Sequence, residues 1–415
     1  MRIGIFARSM FTNMGGIERL CAQLVHAMRE RGHECVVFYH GRSSEKPVFP
    51  LPDETKTYDL APEGVCNIAR AREFIQNAEL DVFCGMNSNS YQLLFLALVN
   101  KIGIPLIISE HAPPEVLGSI GLPPEVRLAC FAAADAIHLL SRNYSSSLPD
   151  FLLQRTEIIQ NPTSVLTSLD RLEEQLSLKR ILAVARFDAQ QKQLSLLIQA
   201  FALLEKEFPD WDLCICGDGP DFSHCLDLVS ELKINERVLF PGFVDDIGSY
   251  YNKSSVFCLP SAFEGFPIAL LEAQSYGLPS VGFAACPGLN EIIIHNANGL
   301  LAKEMTASCL AESLRPLMAT PSLRRKMGER TLELLARYDK ITILDQWEAL
   351  FQKVSRAKKN TQLSTFECLE DKNIVKILHN FLESENKLSI AKEYIRNQRV
   401  SALRCNVKKN FNFRN

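Results

Sequence analysis

Short apolar runs, rich in β-branched and aromatic residues, alternate with amphipathic helical stretches along most of the chain. The runs are apolar at consecutive positions rather than at every second one, which is typical of parallel strands covered on both faces. Helical stretches such as 17–31 and 193–208 separate them. The predicted strands are RIGIF, ECVVFY, DVFCG, IPLIIS, RILAVARF, WDLCICG, RVLFPG, SVFCLPS and PSVGF. This alternation predicts an α/β protein in which a doubly wound, Rossmann-like parallel sheet is formed twice.

A chain of 415 residues is too long for one ordinary core, so two domains are expected. We assign residues 1–163 to an N-terminal Rossmann-like domain and residues 180–354 to a C-terminal one with closing helices. The segment 164–179 between them is polar and lacks a predicted strand, as expected of a linker with a short helix. Residues 355–415 form a separate tail.

The tail is basic. From Gln352 to the end, fourteen Lys and Arg oppose six Asp and Glu, a net charge of +8 (14 − 6). Two interpretations stay open. The segment is either a mobile or partly helical basic tail, or it makes peripheral contact with an anionic membrane face.

Composition argues against several classes of protein. The chain is 47% hydrophobic and 22% charged with a net charge of −3, which favours a soluble globular protein over a nucleic-acid-binding one. Its most apolar window, 91–109, is interrupted by Asn100, Lys101, Gly103 and Pro105, so no membrane span is predicted. The thirteen cysteines are scattered, and MRIGIFARSM does not suit a secretory signal, so we expect a cytoplasmic protein with reduced thiols.

Two adjacent glycines, Gly15 and Gly16, follow the first predicted strand and open the first predicted helix in NMGGIERL. Their lack of side chains leaves room for a phosphate to approach a helix N-terminus. The pattern is not G-x-G-x-x-G, so the dinucleotide-binding fingerprint is absent from it. A tight turn without a ligand is the alternative.

Two bases follow a predicted strand in ARFDAQQKQ: Arg186 ends the strand, and Lys192 lies six residues further on. Strand carboxyl ends in such sheets face the ligand crevice. A planar guanidinium beside a point charge suits a diphosphate, and two solvated surface bases are the alternative. The turn CGDGPD, which contains Gly217, also follows a strand, and we expect it to shape the crevice.

Two carboxylates, Glu264 and Glu272, are separated by seven residues in FEGFPIALLEA. Pro267 fits the first turn of a helix, where its missing N–H costs little. Glu264, beside Gly265, is therefore expected in the loop before this helix and Glu272 inside it. The spacing predicts that the two acids meet different parts of one ligand, and the helix N-terminus offers a second place for phosphate charge.

His111 follows a strand in ISEHAPP, and its position at a strand's carboxyl edge favours the crevice over a purely structural role. The sequence lacks a G-x-x-x-x-G-K-[ST] loop and an H-E-x-x-H metal motif. Asp245 and Asp246 are adjacent, but a helix N-cap explains them more simply than a metal site. We expect no divalent metal and no cofactor.

The order of these motifs resembles that of the retaining glycosyltransferases of family 4, the E-x7-E type. The resemblance covers roughly residues 1–350 and is strongest in SSVFCLPSAFEGFPIALLEAQSYGLPSVGF, with NGLL at 298–301 as a further match. It implies the GT-B fold, in which two Rossmann-like domains face each other across a cleft. The first domain would then lie on the acceptor side, and the second would bind the nucleotide sugar.

The resemblance also implies a role for each motif. Glu272 would hold the ribose hydroxyls of the donor nucleotide, and Glu264 would lie by the transferred sugar. Arg186 and Lys192 would bind the diphosphate, and His111 would line the reaction centre. Catalysis would depend on all of these except Glu272. The other implied donor-binding residues lie in the neighbouring turns or meet the base through backbone groups: Gly15, Gly16, Gly217, Phe243, Val244, Gly265, Phe266 and Pro267.

Two departures from the family pattern concern the donor. Ala185 stands where the family often has glycine, and its methyl group tightens the approach of a diphosphate. The segment AACPGLNEII (284–293) resembles a subset with Cys-Pro that uses UDP-linked galactose or N-acetylhexosamines, but Leu289 replaces the more usual continuation. The resemblance therefore favours a UDP-sugar and leaves the identity of the sugar open.

The resulting interpretation is a metal-independent, retaining glycosyltransferase of the cytoplasm or the inner membrane face. It would move a sugar from a nucleotide diphosphate to a hydroxyl of a glycan or lipid-linked glycan, in surface polysaccharide or glycolipid synthesis. Two alternatives stay open: a nucleotide-sugar epimerase of the same fold, and an inactive transferase-like scaffold that binds partners.

Overall fold

The computed structural model describes residues 1–357 except for short segments at 13–14, 42–45, 63–67, 88–90, 100–101, 115, 117–123, 168–173 and 175–176. Half of the predicted linker and nearly all of the predicted tail therefore lie outside the described residues. The chain divides into two compact units. Unit 1 comprises Met1–Ile159 together with the chain from Leu344 onward, and unit 2 comprises Gln160–Ile343.

Unit 1 is built on a parallel sheet with the strand order β3-β2-β1-β4-β5-β6-β7. Its strands are β1 (Arg2–Ala7), β2 (Glu34–Tyr39), β3 (Lys56–Asp59), β4 (Val82–Asn87), β5 (Leu106–Glu110), β6 (Ala136–Leu139) and β7 (Thr156–Ile158). The helices described before β7 are α1 (Gly16–Glu30), α2 (Ile68–Asn77), α3 (Gln92–Val99), α4 (Pro124–Ala133), α5 (Arg142–Ser145) and α6 (Asp150–Leu153).

Unit 2 repeats the plan with a parallel sheet of order β10-β9-β8-β11-β12-β13. Its strands are β8 (Arg180–Val184), β9 (Asp212–Cys216), β10 (Val238–Gly242), β11 (Val256–Leu259), β12 (Ser280–Phe283) and β13 (Gly299–Ala302). The helices from β8 onward are α7 (Leu194–Leu204), α8 (Phe222–Glu231), α9 (Ile247–Asn252), α10 (Ile268–Ser275), α11 (Pro287–Asn290), α12 (Ala307–Ala319), α13 (Pro321–Leu335) and α14 (Lys340–Arg356). Two short 3₁₀ helices are Asn235–Arg237 and Ala336–Tyr338.

The apolar strands are buried on both faces, as their continuous hydrophobic pattern predicts. All four residues of β11 and all four of β12 are buried. Aromatic side chains fill the space between sheet and helices in unit 1, where Phe38, Phe83 and Phe95 are fully buried. Phe201 and Trp211 fill the same role in unit 2. The doubly wound α/β architecture predicted from the sequence is confirmed in both units.

Each sheet reverses its strand order at one place, and ligands of doubly wound sheets bind outside the strand carboxyl ends at that place. In unit 1 the reversal lies between β1 and β4. In unit 2 it lies between β8 and β11. The segments that leave β8 and β11 carry the predicted bases and the first predicted glutamate, so the topology brings these distant motifs to one edge of the sheet.

Most of the closing helix α14 belongs to a different unit from the predicted one. Its residues from Leu344 onward cluster with unit 1, whereas they were predicted to belong to the C-terminal domain. Polar contacts to the end of α1 explain this. The Arg31 guanidinium donates to the Leu344 carbonyl at 2.9 Å and to Asp345 Oδ1 at 2.5 Å. His33 Nε2 lies 2.9 Å from Glu348 Oε1. A predicted domain of 180–354 therefore includes residues that belong to the first core.

Two aromatic side chains bury the inner face of α14. Trp347 and Phe351 are fully buried, with ring centroids 5.6 Å apart.

Among the described residues, none of the helices combines the length and the hydrophobicity that a membrane span requires.

Candidate active site

The segment that follows β8 lies directly against the glycine turn that follows β9. The Phe187 N–H donates to the Asp218 carbonyl at 3.0 Å, and the Ala185 N–H donates to the Cys216 carbonyl at 3.1 Å. A Cβ atom on Gly217 would lie 2.0 Å from the Ala185 carbonyl oxygen, and one on Gly219 would lie 2.4 Å from the Phe187 carbonyl oxygen. Glycine is therefore needed for the close approach of two backbones, as expected of a turn that shapes the crevice.

Gly217→Ala is expected to destabilise unit 2 more than Gly242→Ala does. Both glycines have positive φ, +139° and +76°, and a non-glycine residue there costs about 1–2 kcal/mol. Gly242 has open space around the Cβ position, whereas at Gly217 the new methyl group would collide with backbone, which adds about 1–3 kcal/mol. Urea unfolding of both variants measures the difference, and equal losses would show that the backbone contact is not tight.

Arg186 lies two residues after the end of β8 and extends into solvent, with 64% of its side chain exposed. Its guanidinium donates to Asp188 Oδ2 at 2.5 Å, and Asp188 Oδ1 also accepts the Gln191 N–H at 3.0 Å. An exposed pair of this kind contributes little to stability. The guanidinium therefore has N–H groups facing solvent at the carboxyl edge of the sheet, where a diphosphate could bind bidentately.

Lys192 and Glu264 form an ion pair between Nζ and Oε1, although 72 positions separate them in the chain. Ser261 Oγ donates to the same carboxylate oxygen at 2.6 Å. Only 17% of the Lys192 side chain and 7% of the Glu264 side chain are exposed. A largely desolvated pair of opposite charges is strongly coupled, so a change at either residue alters the charge of the other's surroundings.

The loops that carry this pair are joined through the backbone. The Ala262 N–H donates to the Gln191 carbonyl at 2.8 Å. In return, the Gln191 side-chain amide donates to the Phe263 carbonyl at 3.3 Å. The Lys192 N–H closes a turn to the Asp188 carbonyl at 2.7 Å. The base and the acid are thus positioned by main-chain contacts on both sides as well as by their own charges.

The segment that contains Cys286 and Pro287 packs closely against the backbone of the Glu264 loop. A Cβ atom on Gly288 would lie 2.5 Å from the Glu264 carbonyl oxygen and 2.8 Å from the Gly265 carbonyl oxygen. Cys286 is fully buried beside them, and burial, with a smaller contribution from the Glu264 charge, raises the pKa of its thiol to about 12. The thiol is therefore protonated and acts as a small apolar group in the packing around Glu264.

Helix α10 begins after Pro267, which is its N-cap residue rather than a residue of its first turn as predicted. The side-chain amide of Asn161 donates to the Phe266 carbonyl at 2.9 Å, and the Phe266 ring packs edge-on against Tyr338 at 5.3 Å. These contacts fix the entry into the helix. Glu264 consequently lies in the preceding loop and Glu272 within α10, which confirms the placement predicted from their spacing.

Glu272 has different neighbours from Glu264. The Tyr251 hydroxyl donates to Glu272 Oε2 at 3.2 Å, and the Tyr251 ring stacks on Tyr276 with centroids 5.3 Å apart. Burial, and then the negative charges of Glu272 and Asp246, raise the pKa of the Tyr276 hydroxyl. Sequence reasoning missed both tyrosines. The two acids thus have separate surroundings, and that they meet different parts of a ligand stays a prediction.

The segment after β10 carries an exposed aromatic ring, because 57% of Phe243 is accessible to solvent while Val244 is half-buried. Asp246 caps helix α9, and its Oδ1 accepts the Ser249 N–H at 3.3 Å, which confirms the predicted N-cap. Within the described part of the chain, no group of three or more His, Cys, Asp or Glu side chains is arranged to hold a metal ion.

In unit 1, Gly15 is the N-cap of α1 and Gly16 its first residue. A Cβ atom on Gly15 would lie 2.3 Å from Glu18 Oε2, so the Glu18 carboxylate folds back over the helix start. Burial raises the pKa of this carboxyl, and hydrogen bonds from the Glu18 and Ser9 backbone oppose that shift. The space beside Gly15 was predicted to admit a phosphate, and the carboxylate of Glu18 was not predicted there. Its position three residues after the N-cap is a capping signal.

His111 follows β5 directly and is half-buried. The adjacent Glu110 is fully buried and is bound by Arg127 through two hydrogen bonds of 2.6 and 2.7 Å. This bidentate pair fixes the end of β5, so Glu110 is a structural carboxylate. His111 Nε2 lies 2.8 Å from Ser109 Oγ. Burial, and then the neighbouring His138, lower the pKa of the His111 imidazole well below its ordinary value.

Comparison with known families agrees with the division into two Rossmann-like halves. Residues 14–165 match the family model described as Glycosyltransferase Family 4, and residues 168–333 match that described as Glycosyl transferases group 1. The chain belongs to glycosyltransferase family 4. Its two parallel sheets with flanking helices are those of the GT-B fold, which the resemblance had implied.

The similarity to individual relatives covers nearly the whole length of those proteins. The family 4 chain is 24% identical to the amylovoran biosynthesis glycosyltransferase AmsD of Erwinia amylovora, over 81% of this chain and 95% of that protein. It is also 24% identical to the GalNAc-α-(1→4)-GalNAc-α-(1→3)-diNAcBac-PP-undecaprenol α-1,4-N-acetyl-D-galactosaminyltransferase of Campylobacter jejuni, over 83% and 97%. Among solved structures, Anabaena HepE in complex with UDP and glucose superimposes with a TM-score of 0.68 at 17% identity, covering 84% and 99%.

In this family 4 transferase, the structure brings Lys192 and Glu264 into contact, with Arg186 on the segment that leads to Lys192. Glu272 lies on the helix that the Glu264 loop enters. His111, Gly15 and Gly16 are residues of unit 1. Ser261, Tyr251 and Asn161 hold the two glutamates or their helix and were not predicted. Tyr251 and Asn161 act across a long sequence distance, whereas Ser261 is only three residues from Glu264 and was open to prediction.

Proposed function

We propose that the chain transfers a sugar from a UDP-sugar to a hydroxyl of a glycan or lipid-linked glycan, with retention of configuration at the anomeric carbon. The names of the amylovoran and undecaprenol-linked glycan transferases support a role in surface polysaccharide or glycolipid synthesis. The UDP and glucose bound to HepE, together with the Cys286–Pro287 segment, support a uridine nucleotide.

The observation that carries the proposal is the largely buried Lys192–Glu264 pair at the strand reversal of unit 2. Sugar transfer from a nucleotide diphosphate places negative charge on the departing phosphate and positive charge on the sugar ring. A lysine and a carboxylate held in contact supply one charge for each. In a water-poor site such preorganised charges stabilise the transition state far more than they would in water.

The remaining residues fit the parts of the donor that do not react. The exposed guanidinium of Arg186 would bind the diphosphate as a fork, beside Lys192. Glu272 would accept hydrogen bonds from the ribose hydroxyls, and the backbone near Phe243 would meet the base. The leaving phosphate would take the proton of the acceptor hydroxyl on the face it has just left, so we assign Glu264 an electrostatic role beside the sugar.

The test is a screen of purified protein against UDP- and GDP-linked hexoses and N-acetylhexosamines, with release of the nucleotide diphosphate as the readout. We expect one UDP-sugar to be turned over, slowly by hydrolysis and faster with added undecaprenyl-diphosphate-linked glycan. An epimerised nucleotide sugar formed without acceptor would instead identify an isomerase. Absence of turnover and of UDP binding in folded protein would favour a binding scaffold.

Activity is expected to persist in an excess of EDTA, because Arg186 and Lys192 are proposed to carry the charge compensation that a divalent metal would otherwise provide. Turnover of the donor found in the screen, measured with EDTA and with added Mg²⁺ or Mn²⁺, checks this. Loss of turnover in EDTA that either metal restores would contradict the assignment of the diphosphate to these two bases.

A further inference from the structure

A chain of hydrogen bonds runs from His111 into the core of unit 1. Ser109 Oγ lies 2.8 Å from His111 Nε2 and 2.8 Å from His138 Nδ1. His138 Nε2 lies 2.7 Å from the Ile159 carbonyl oxygen. Ser109 and His138 are fully buried, and Trp347 covers the His138 ring at a centroid distance of 4.3 Å. Only His111, at the outer end, is half-buried.

The innermost of these hydrogen bonds, from His138 to Ile159, fixes the donor and the acceptor in each of the others. A carbonyl oxygen only accepts, so His138 Nε2 carries a proton and donates to Ile159. Burial lowers the pKa of His138 to about 4, so at neutral pH its Nδ1 carries a lone pair. That nitrogen accepts the hydroxyl proton of Ser109. The Ser109 oxygen is then left to accept the Nε2–H of His111.

The outer end of this chain of hydrogen bonds, Nδ1 of His111, is therefore an acceptor. With its proton on Nε2, a neutral His111 carries a lone pair on Nδ1, and no hydrogen-bond partner for that atom is found within the described residues. The tautomer of a histidine is set by the bond that its other nitrogen makes. In a nucleotide sugar and a glycan, phosphate and carbonyl oxygens only accept, whereas sugar hydroxyls can donate to such a lone pair.

We propose that Ser109 and His138 are positioning residues that hold His111 as the Nε2–H tautomer, so that its Nδ1 accepts a hydrogen bond from a sugar hydroxyl. The hydrogen bond from a sugar hydroxyl rests on the proposed function, whereas the tautomer of His111 is a property of the protein without substrate. The two parts can therefore fail separately.

The first experiment reads the tautomer by long-range ¹H–¹⁵N NMR of full-length protein labelled at its histidines, without substrate and at neutral pH. We expect His111 to show an unprotonated Nδ1 and a slowly exchanging Nε2 proton in the wild type and in Ser109→Thr, which keeps the hydroxyl. The slow exchange should be lost in Ser109→Ala. It should persist in Ser280→Ala, which removes a buried strand serine of unit 2. A proton on Nδ1 of His111, or slow exchange unchanged in Ser109→Ala, would overturn the proposal.

The second experiment measures turnover of the UDP-sugar found in the screen. Ser109→Ala should lower kcat/KM about tenfold, the effect of one hydrogen bond that orients another group, with UDP affinity unchanged. Ser109→Thr should recover most of the loss, and Ser280→Ala should match the wild type. Ser109→Ala with wild-type kcat/KM, or an equal loss in Ser280→Ala, would overturn the positioning role. If no donor is turned over, the proposed function fails while the NMR result still decides the tautomer.

Discussion

Lys192→Ala is expected to lower kcat/KM for the donor by roughly 10²-fold or more, because it removes the positive charge that we propose to face the departing diphosphate. Arg186→Ala should have an effect of similar size through loss of the guanidinium fork. The two variants should differ in stability. Arg186 is mostly exposed, so its loss should leave unfolding unchanged, whereas loss of Lys192 leaves the buried Glu264 carboxylate without its counter-charge, at a cost of about 1–3 kcal/mol.

Steady-state kinetics and urea unfolding of the same preparations separate the two effects. Lys206→Ala is the matched control, because Lys206 is an exposed lysine of unit 2 without a described ion pair. The double variant Lys192→Ala/Glu264→Gln should recover part of the lost stability but none of the activity, since the buried charge is removed together with its partner. Near-normal turnover in Lys192→Ala or Arg186→Ala would contradict the assigned diphosphate site.

Glu264→Gln and Glu272→Gln are expected to separate turnover from nucleotide binding. Glu272 would hold the ribose, and hydrogen bonds to a charged acceptor contribute about 1.5–3 kcal/mol, so Glu272→Gln should weaken UDP binding about 10- to 100-fold. Glu264 faces Lys192 and Ser261 and would lie by the sugar. Glu264→Gln should therefore not weaken UDP binding, because it only removes a negative charge beside Lys192, while turnover falls about 10²-fold or more.

Calorimetry with UDP, paired with turnover of the full donor, gives both quantities for each variant. Glu231→Gln, an exposed glutamate of α8, controls for a general loss of negative charge from unit 2. If Glu264→Gln weakens UDP binding as much as Glu272→Gln does, the two acids share one task, and their different neighbours in the structure have no functional meaning.

Local sequence patterns were sufficient to predict nine of the described strands, the place of each motif at a strand's carboxyl end, and the loop and helix positions of Glu264 and Glu272. The short strands β3, β6 and β7 were missed. The predicted features depend on the hydrophobic period, on Pro267 and on the general rule that ligands meet strand carboxyl ends. The N-cap role of Asp246 followed in the same way from its chemistry and its place before a helix.

Contacts between distant segments could not be predicted in this way. Sequence reasoning gave Lys192 and Glu264 separate partners within the donor, and only the folded chain shows them paired across 72 residues. The Glu18 carboxylate over Gly15 was open to prediction from its capping position and was missed. The return of α14 to unit 1 depends on Arg31 and His33, whose pairing with Asp345 and Glu348 leaves no local signal in the sequence.

The most direct test of the account is the anomeric configuration of the first product, followed by ¹H NMR as the α-linked UDP-sugar found in the screen is transferred to its acceptor. The account predicts an α-linked glycoside that forms at the rate of UDP release and whose yield falls in Lys192→Ala and Glu264→Gln. A β-linked product, or UDP release with no new glycosidic bond at saturating acceptor, would contradict it.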